Sequence, residues 1–322
     1  MATSLLEYVH TTLSSQSWYM DHILPEHLIR VLWCVILMCI YALVELDYLP
    51  GKRWKIRPDL HVSSQEIVYY IRSSCLNPLK WHIGPVLFYE IFFHRPSCRV
   101  YNSPTWWTFL WKSIAYTFIF DVMTHLFHHL THMHPRIASF FHRVHATHHA
   151  SCQRYTYAWN GFHSSGFESF AGLIFFLGAM LPLQMDPLTR LISILYLHFS
   201  ATNLHSGYDF PWMFHNWNRL TRFVWHGSVG HYFHHQLGRK NMSTFWTFLD
   251  RLFGTYYDPR SSAPTHPNEF IYQRTKLNRI ERSSFFPIDQ QRISGQGKCI
   301  TVSTKRDIKD ESYKFILHHS LS

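Results

Sequence analysis

Acidic residues are scarce in this chain. Asp and Glu together number 20, against 26 histidines and 30 Lys plus Arg, so the formal net charge is +10 with histidine neutral. That balance suits an anionic lipid leaflet as well as nucleic acid. No zinc-finger, helix-turn-helix or RNP pattern accompanies it, which sets nucleic acid aside. The six cysteines (Cys34, Cys39, Cys75, Cys98, Cys152, Cys299) form no C-x-x-C pair, which excludes a disulfide scaffold; they read as reduced and structural. The amino terminus has no basic stretch followed by an apolar core, so no cleavable signal is expected. There is also no G-x-G-x-x-G and no haem-ligating H-P-G-G, and a bound dinucleotide, flavin or haem is excluded on that ground.

Apolar runs are present, with aromatics at 17% of the chain collected in and beside them, as in membrane proteins with interfacial anchors. Leu28 to Leu49 is the first candidate span, and the basic Gly51-Lys-Arg-Trp-Lys-Ile-Arg57 follows it at once. Residues 1–27 carry acids and no Lys or Arg. The positive-inside rule therefore puts the N-terminal segment in a lumen and the basic loop in the cytosol. Residues 80–97 with 105–127, and residues 167–204 around Pro182 and Pro187, read as two hairpins that enter the bilayer and return; Glu90 and Lys112 make the first imperfect. Met242 to Gly254 has helical spacing of its aromatics and reads as a packed helix with an interfacial edge. The expected class is all-α: an integral membrane helical bundle over 28–257 with a cytosolic histidine-rich di-metal cap, a segment 1–27 before it and a polar, mobile cytosolic tail over 258–322.

Histidine is the anomaly. It forms His128-x-x-x-His132, then His145-x-x-His148-His149, then His231-x-x-His234-His235. On an α-helix the positions i, i+3 and i+4 share one face, so each run can aim its imidazoles at a common point. A lone histidine is more often a hydrogen-bonded core or surface group; three spaced runs point to metal. Neutral imidazole suits iron, zinc and copper, and eight ring nitrogens supply two ions while over-supplying one. The hairpins bring all three runs, and His205, to one side of the membrane.

In this order the three runs resemble the fatty acid hydroxylase and sterol desaturase superfamily, from about Trp54 to Tyr256. His205-Ser-Gly-Tyr-Asp-Phe-Pro-Trp212, Phe248-Leu-Asp-Arg-Leu-Phe-Gly-Thr255 and Trp54-Lys-Ile-Arg-Pro-Asp59 are similar to its sterol branch, nearest the cholesterol 25-hydroxylases. The resemblance implies an endoplasmic reticulum enzyme with two non-haem iron ions that uses O2 against an unactivated C–H bond of a sterol or other lipid. Electrons would come from NADPH through a partner, a reductase or cytochrome b5. The implied ligands are His128, His132, His145, His148, His149, His231, His234 and His235, with His205 as a ninth. His163, five residues before Glu168, and His215 are further candidates as ligands or supporting groups. Between His205 and His231 the chain is two residues longer than those relatives, which bears on substrate rather than on metal.

Carboxylates commonly orient metal-binding imidazoles by accepting their other N–H. Asp121 lies two turns before His128, and Asp209 follows His205 by four residues, so each is a candidate for that role or a plain helix-surface acid. His125, His129, His134, His142 and His226 flank the runs and read as surface or supporting groups. The competing enzyme readings are a C4-methylsterol oxidase, a sterol C5-desaturase or a fatty acid hydroxylase, and the competing class is a non-catalytic zinc-binding membrane protein.

Overall fold

Helix boundaries in this chain are written in short polar signals between apolar runs. The computed structural model describes residues 5–14, 23–92, 103–133, 135–152, 155–213 and 224–258. His134, His215 and all of the expected tail beyond Asp258 lie outside the described residues, as do the side chains of residues 133–143.

The helices are α1 (Leu5–Ser14), α2 (Ile23–Glu45), α3 (Ser64–Phe92), α4 (Trp106–Met133), α5 (Pro135–Cys152), α6 (Gly166–Met180), α7 (Pro187–Leu204), α8 (Ser228–Leu237) and α9 (Thr247–Leu252). No strand occurs among the described residues, where only two isolated bridges pair Lys55 with Tyr208 and Trp225 with Trp246. The all-α expectation holds there.

A reciprocal capping box opens α3. Ser63 Oγ accepts the Glu66 N–H at 3.2 Å, while Glu66 Oε2 accepts the Ser63 N–H at 3.0 Å, satisfying two otherwise orphaned groups at once. Ser165 caps α6 by accepting the Glu168 N–H. Asp186 caps α7 by accepting the Thr189 N–H, with Pro187 at the first helical position, where its missing donor costs nothing.

The helices α2, α3 and α7 pack together, and α4 lies against α5, α6 and α7. Met38, Tyr41 and Val44 of α2 form one core with Tyr157, Trp159, Tyr208 and Phe210. Tyr116 and Phe120 of α4 form another with Leu197 and Leu204 of α7 and with Phe245. Below the histidines a buried ion pair pins the end of α2. Lys55 Nζ donates to Glu45 Oε1 at 2.6 Å and to the Leu60 carbonyl, and Tyr208 O–H donates to Glu45 Oε2 at 2.5 Å. Removing one partner of a buried pair strands the other, so Lys55→Met is expected to lower stability by about 3–5 kcal/mol. Thermal unfolding of the detergent-solubilised protein reads this as a marked fall in Tm.

Among the described residues two helices are long and apolar enough to cross a membrane, Leu24–Glu45 and Gly166–Leu183. The expected second hairpin is present as α6, a 3-10 turn Leu181–Leu183 and α7. The first hairpin differs: its leading arm is one helix from Ser64, begun by the capping box well before residue 80. The expected helix over 242–254 is also shorter. Its amides at 242–246 are taken by side-chain carboxylates, those of Met242 and Ser243 by Asp250 and those of Thr244, Phe245 and Trp246 by Asp121, so only Thr247–Leu252 coils.

Candidate metal centre

Four elements deliver imidazoles to one place: the C-terminal end of α4, the polar face of α5, the end of α7 and the whole of α8. Of the nine expected ligands, eight fall into two groups of four. One holds His132, His145, His149 and His234, the other His148, His205, His231 and His235, and within each group the ring nitrogens lie within 4.8 Å of one another. The i, i+3, i+4 spacing accounts for the division. Positions 145 and 149 of α5 feed the first group while 148, a third of a turn away, feeds the second.

His128 belongs to neither group. Its ring centroid lies 4.8 Å from that of His145 and 5.1 Å from that of His234, its Nδ1–H donates to the Met242 carbonyl at 2.8 Å, and it lines the adjoining cavity. His163 stands apart from both groups, its Nδ1 2.7 Å from Ser73 Oγ.

Hydrogen bonds fix which nitrogen of each ring faces inward. A carbonyl or carboxylate only accepts, so the ring nitrogen touching it carries the proton. His145 Nδ1–H donates to Glu168 Oε1 at 2.6 Å, His234 Nδ1–H to the Lys240 carbonyl at 2.8 Å and His205 Nδ1–H to the Ala201 carbonyl at 2.9 Å. The Nε2 lone pairs of these rings are thereby left free. In the first group Nε2 of His145, His149 and His234 is buried with no hydrogen-bond partner among the described residues. In the second, Nε2 of His205 lies 3.3 Å from Nε2 of His148 and 2.8 Å from Nε2 of His231. Where two such nitrogens both present lone pairs, such proximity is repulsive unless a cation lies between them.

Charge state points the same way. Burial, reinforced by neighbouring imidazoles, pushes His145, His148, His149, His231 and His235 well below the ordinary histidine range. Burial pushes His205 and His234 down to about 4. Neutral rings keep the lone pairs that a metal needs. An all-imidazole donor set of this kind fits iron, and it also fits zinc.

The Fatty acid hydroxylase family model matches residues 113–255, which span α4 to the end of α9 and hold every histidine of both groups. Cholesterol 25-hydroxylase-like protein 2 of Danio rerio is 30% identical over 205 residues, covering 63% of this chain and 70% of its own length. The chain belongs to the fatty acid hydroxylase family. Cholesterol 25-hydroxylase of Homo sapiens is 28% identical over 211 residues, with 63% and 72% covered. A Dictyostelium discoideum protein assigned by name to the methylsterol monooxygenases is 47% identical over 57 residues, 18% of this chain and 20% of its own. No solved structure matches.

The acids around this site play different parts. Glu168 orients a ring, as described. Asp121 hydrogen-bonds no imidazole among the described residues: its carboxylate accepts the N–H groups of Thr244, Phe245 and Trp246 at 2.7–2.9 Å. It is neither a ring partner nor a plain surface acid, the two roles its sequence position leaves open; the 244–246 loop, more than a hundred residues away, claims it. Asp209 is buried beside Trp54, whose carbonyl accepts its backbone N–H at 2.8 Å.

Two residues at the site escape notice in the sequence. Asp250 accepts from His226 Nε2–H at 2.7 Å, from Thr255 O–H at 2.5 Å and from the N–H groups of Met242 and Ser243. It thereby holds in place the carbonyl that His128 uses. Burial would push this carboxyl up, but the His226 and backbone hydrogen bonds prevail and hold it below the usual range. The F-L-D-R-L-F-G-T motif carried that signal. Gly161 lies under the His205 ring, where an added Cβ would sit 2.6 Å from its Cγ. Gly161→Ala is expected to displace His205 and to weaken iron binding at the second group about tenfold or more, measured by metal titration of the purified protein. Gly207, in the H-S-G-Y element, has φ +75° and an added Cβ would meet the Thr156 carbonyl at 2.3 Å, so glycine alone suits that turn.

Proposed function

We propose that the protein is a membrane-embedded lipid monooxygenase that holds two non-haem iron ions, one in each group of four histidines, and hydroxylates a sterol with O2. The observation that carries this reading is the convergence of eight buried ring nitrogens as two sets of four, within a chain similar to cholesterol 25-hydroxylases. Iron bound there would supply the dioxygen chemistry needed against an unactivated C–H bond.

The chain's own part is positioning and exclusion of water. Glu168 and the Lys240 and Ala201 carbonyls hold the imidazoles in one tautomer, which raises ligand basicity and fixes ring orientation. Beside the histidines lies a cavity of about 210 Å³ that His128, His148, His205 and His231 line together with Met38, Phe120, Phe127, Phe175 and Leu197. Its mostly apolar wall suits a hydrocarbon and keeps water from the reacting carbon.

Membrane embedding is supported by apolar side chains that face outward. Leu28, Leu32, Ile36, Ile40 and Leu43 form an exposed stripe along α2, and Trp106, Trp107, Leu110, Ile114 and Phe118 another along α4. Stripes of this size demand an apolar partner, and bilayer lipid is one that also delivers the substrate. The basic loop after α2 supports a cytosolic side for the histidines, in keeping with an endoplasmic reticulum enzyme. Electrons then come from NADPH through a reductase or cytochrome b5.

Expression in a sterol-producing cell without endogenous activity, followed by mass spectrometry of the sterol fraction, tests the reading. A sterol heavier by one oxygen on the side chain is expected. Oxygen on a ring methyl, a new double bond or an oxidised acyl chain would move the protein to a C4-methylsterol oxidase, a C5-desaturase or a fatty acid hydroxylase.

A further inference from the structure

Away from the metal centre a second cluster of histidines surrounds a cation. Arg30 of α2 is buried, and its Nη2 donates to His27 Nδ1 at 2.7 Å and His82 Nδ1 at 2.8 Å, its Nη1 to His198 Nε2 at 3.3 Å. Arginine can only donate, so each of these nitrogens accepts and the other nitrogen of each ring bears the proton. His82 Nε2–H is used by the Ser169 carbonyl at 2.7 Å and His198 Nδ1–H by the Ile194 carbonyl at 2.9 Å. His27 Nε2–H is buried with no acceptor, as is the nearby Tyr116 hydroxyl.

No carboxylate pairs with Arg30 among the described residues. Glu26, one turn earlier, is taken by Arg190, which reaches it at 2.6–2.8 Å. The guanidinium has five N–H groups and spends three on histidines, so two remain. The result is a buried, positively charged guanidinium with N–H groups to spare. A cation held that way is costly unless an acceptor completes it.

Arg30 also lies where two cavities meet. It lines the cavity that runs to His148, His205 and His231, and it lines a second, of about 260 Å³, together with His27, Glu26 and Arg190. Its partner His198 lies seven residues before His205 on the same helix, a separation of roughly 10 Å along the axis at 1.5 Å per residue.

We propose that Arg30 and the Nε2–H of His27 bind the oxygen-bearing head group of the lipid, and that the carbon presented to the metal-site histidines therefore lies about 10 Å or more from that oxygen. The inference rests on the lipid-oxidising reading of the histidine site and adds its substrate class. A lipid held in this way is oxidised at its far end, in a side chain or along an acyl chain, and not at a methyl group next to its own hydroxyl.

The test needs neither iron nor turnover. Purified full-length protein in detergent is titrated with cholesterol against cholestane, which lacks the hydroxyl, and with palmitate against hexadecane, each displacing a tritiated lipid. The wild type is expected to prefer the oxygen-bearing member of one pair by about ten- to a hundredfold, the usual worth of a hydrogen bond to a charged group. The pair that shows the preference tells a hydroxyl from a carboxylate. Arg30→Met should bring that preference close to one while the hydrocarbon binds as before.

If Arg30→Met binds neither lipid, as a misfolded bundle would, His27→Phe decides, because it keeps a ring and removes one donor; a preference reduced several-fold is expected. No preference in the wild type, or a preference unchanged in these variants, overturns the proposal. Discrimination by a protein that never oxidises lipid sinks the proposed function and leaves this site standing. Oxidation without discrimination, or oxygen placed on a carbon beside the head group, does the reverse.

Discussion

His234→Ala is expected to abolish lipid oxidation, with product falling below about one hundredth of the wild-type yield, and to lower iron from about two ions to about one per chain. His234 provides one of four converging nitrogens in the first group. Its Nδ1–H is already committed to the Lys240 carbonyl, so no rotation of a neighbour replaces it. His148→Ala is expected to do the same through the second group. Both variants remain in the membrane fraction, since the cores around Tyr41 and Phe120 do not include either ring. Activity surviving either change would show the ligand assignment to be wrong.

Glu168→Gln has the next largest effect, a loss of about ten- to a hundredfold in iron affinity or in activity. The carboxylate accepts the His145 Nδ1–H at 2.6 Å. An amide in the same place can rotate to present N–H instead, which would favour the other tautomer and turn a proton, rather than a lone pair, toward the group. The effect is read by iron titration and turnover in the same preparation. A Glu168→Gln protein with wild-type affinity and rate would show that the ring needs no such support.

Much of this centre is legible in the sequence because helical spacing is local. The runs at 128, 145 and 231 carry their geometry in i, i+3 and i+4, and eight of nine expected rings converge. The runs alone do not show how α5 divides its histidines, since that depends on where α4, α7 and α8 sit around it. His128 is a case of the same kind: its spacing from His132 matches a ligand pair and its Nδ1–H, like that of His234, donates to a backbone carbonyl, but the two groups of four form without it.

The fold divides along a similar line. Hairpin α6–α7 is readable from Asp186-Pro187 and two apolar runs, whereas α3 starts well ahead of its apolar run, where only the Ser63 and Glu66 capping box marks it. The shortness of α9 follows from Asp250, within the same stretch, and Asp121, far from it in sequence, capturing the amides of 242–246. Capture by Asp121 has no local signature, and the same reason hides the pairing of Arg30 with His82 and His198.

The most direct measurement is X-ray absorption at the iron edge on protein purified with added iron, with metal content determined on the same sample. The account predicts about two irons per chain, with nitrogen neighbours at imidazole distances and the multiple-scattering pattern of histidine rings. Stoichiometric zinc with no iron uptake and no O2-dependent product under any reductant, or a shell dominated by oxygen or sulfur, would contradict it.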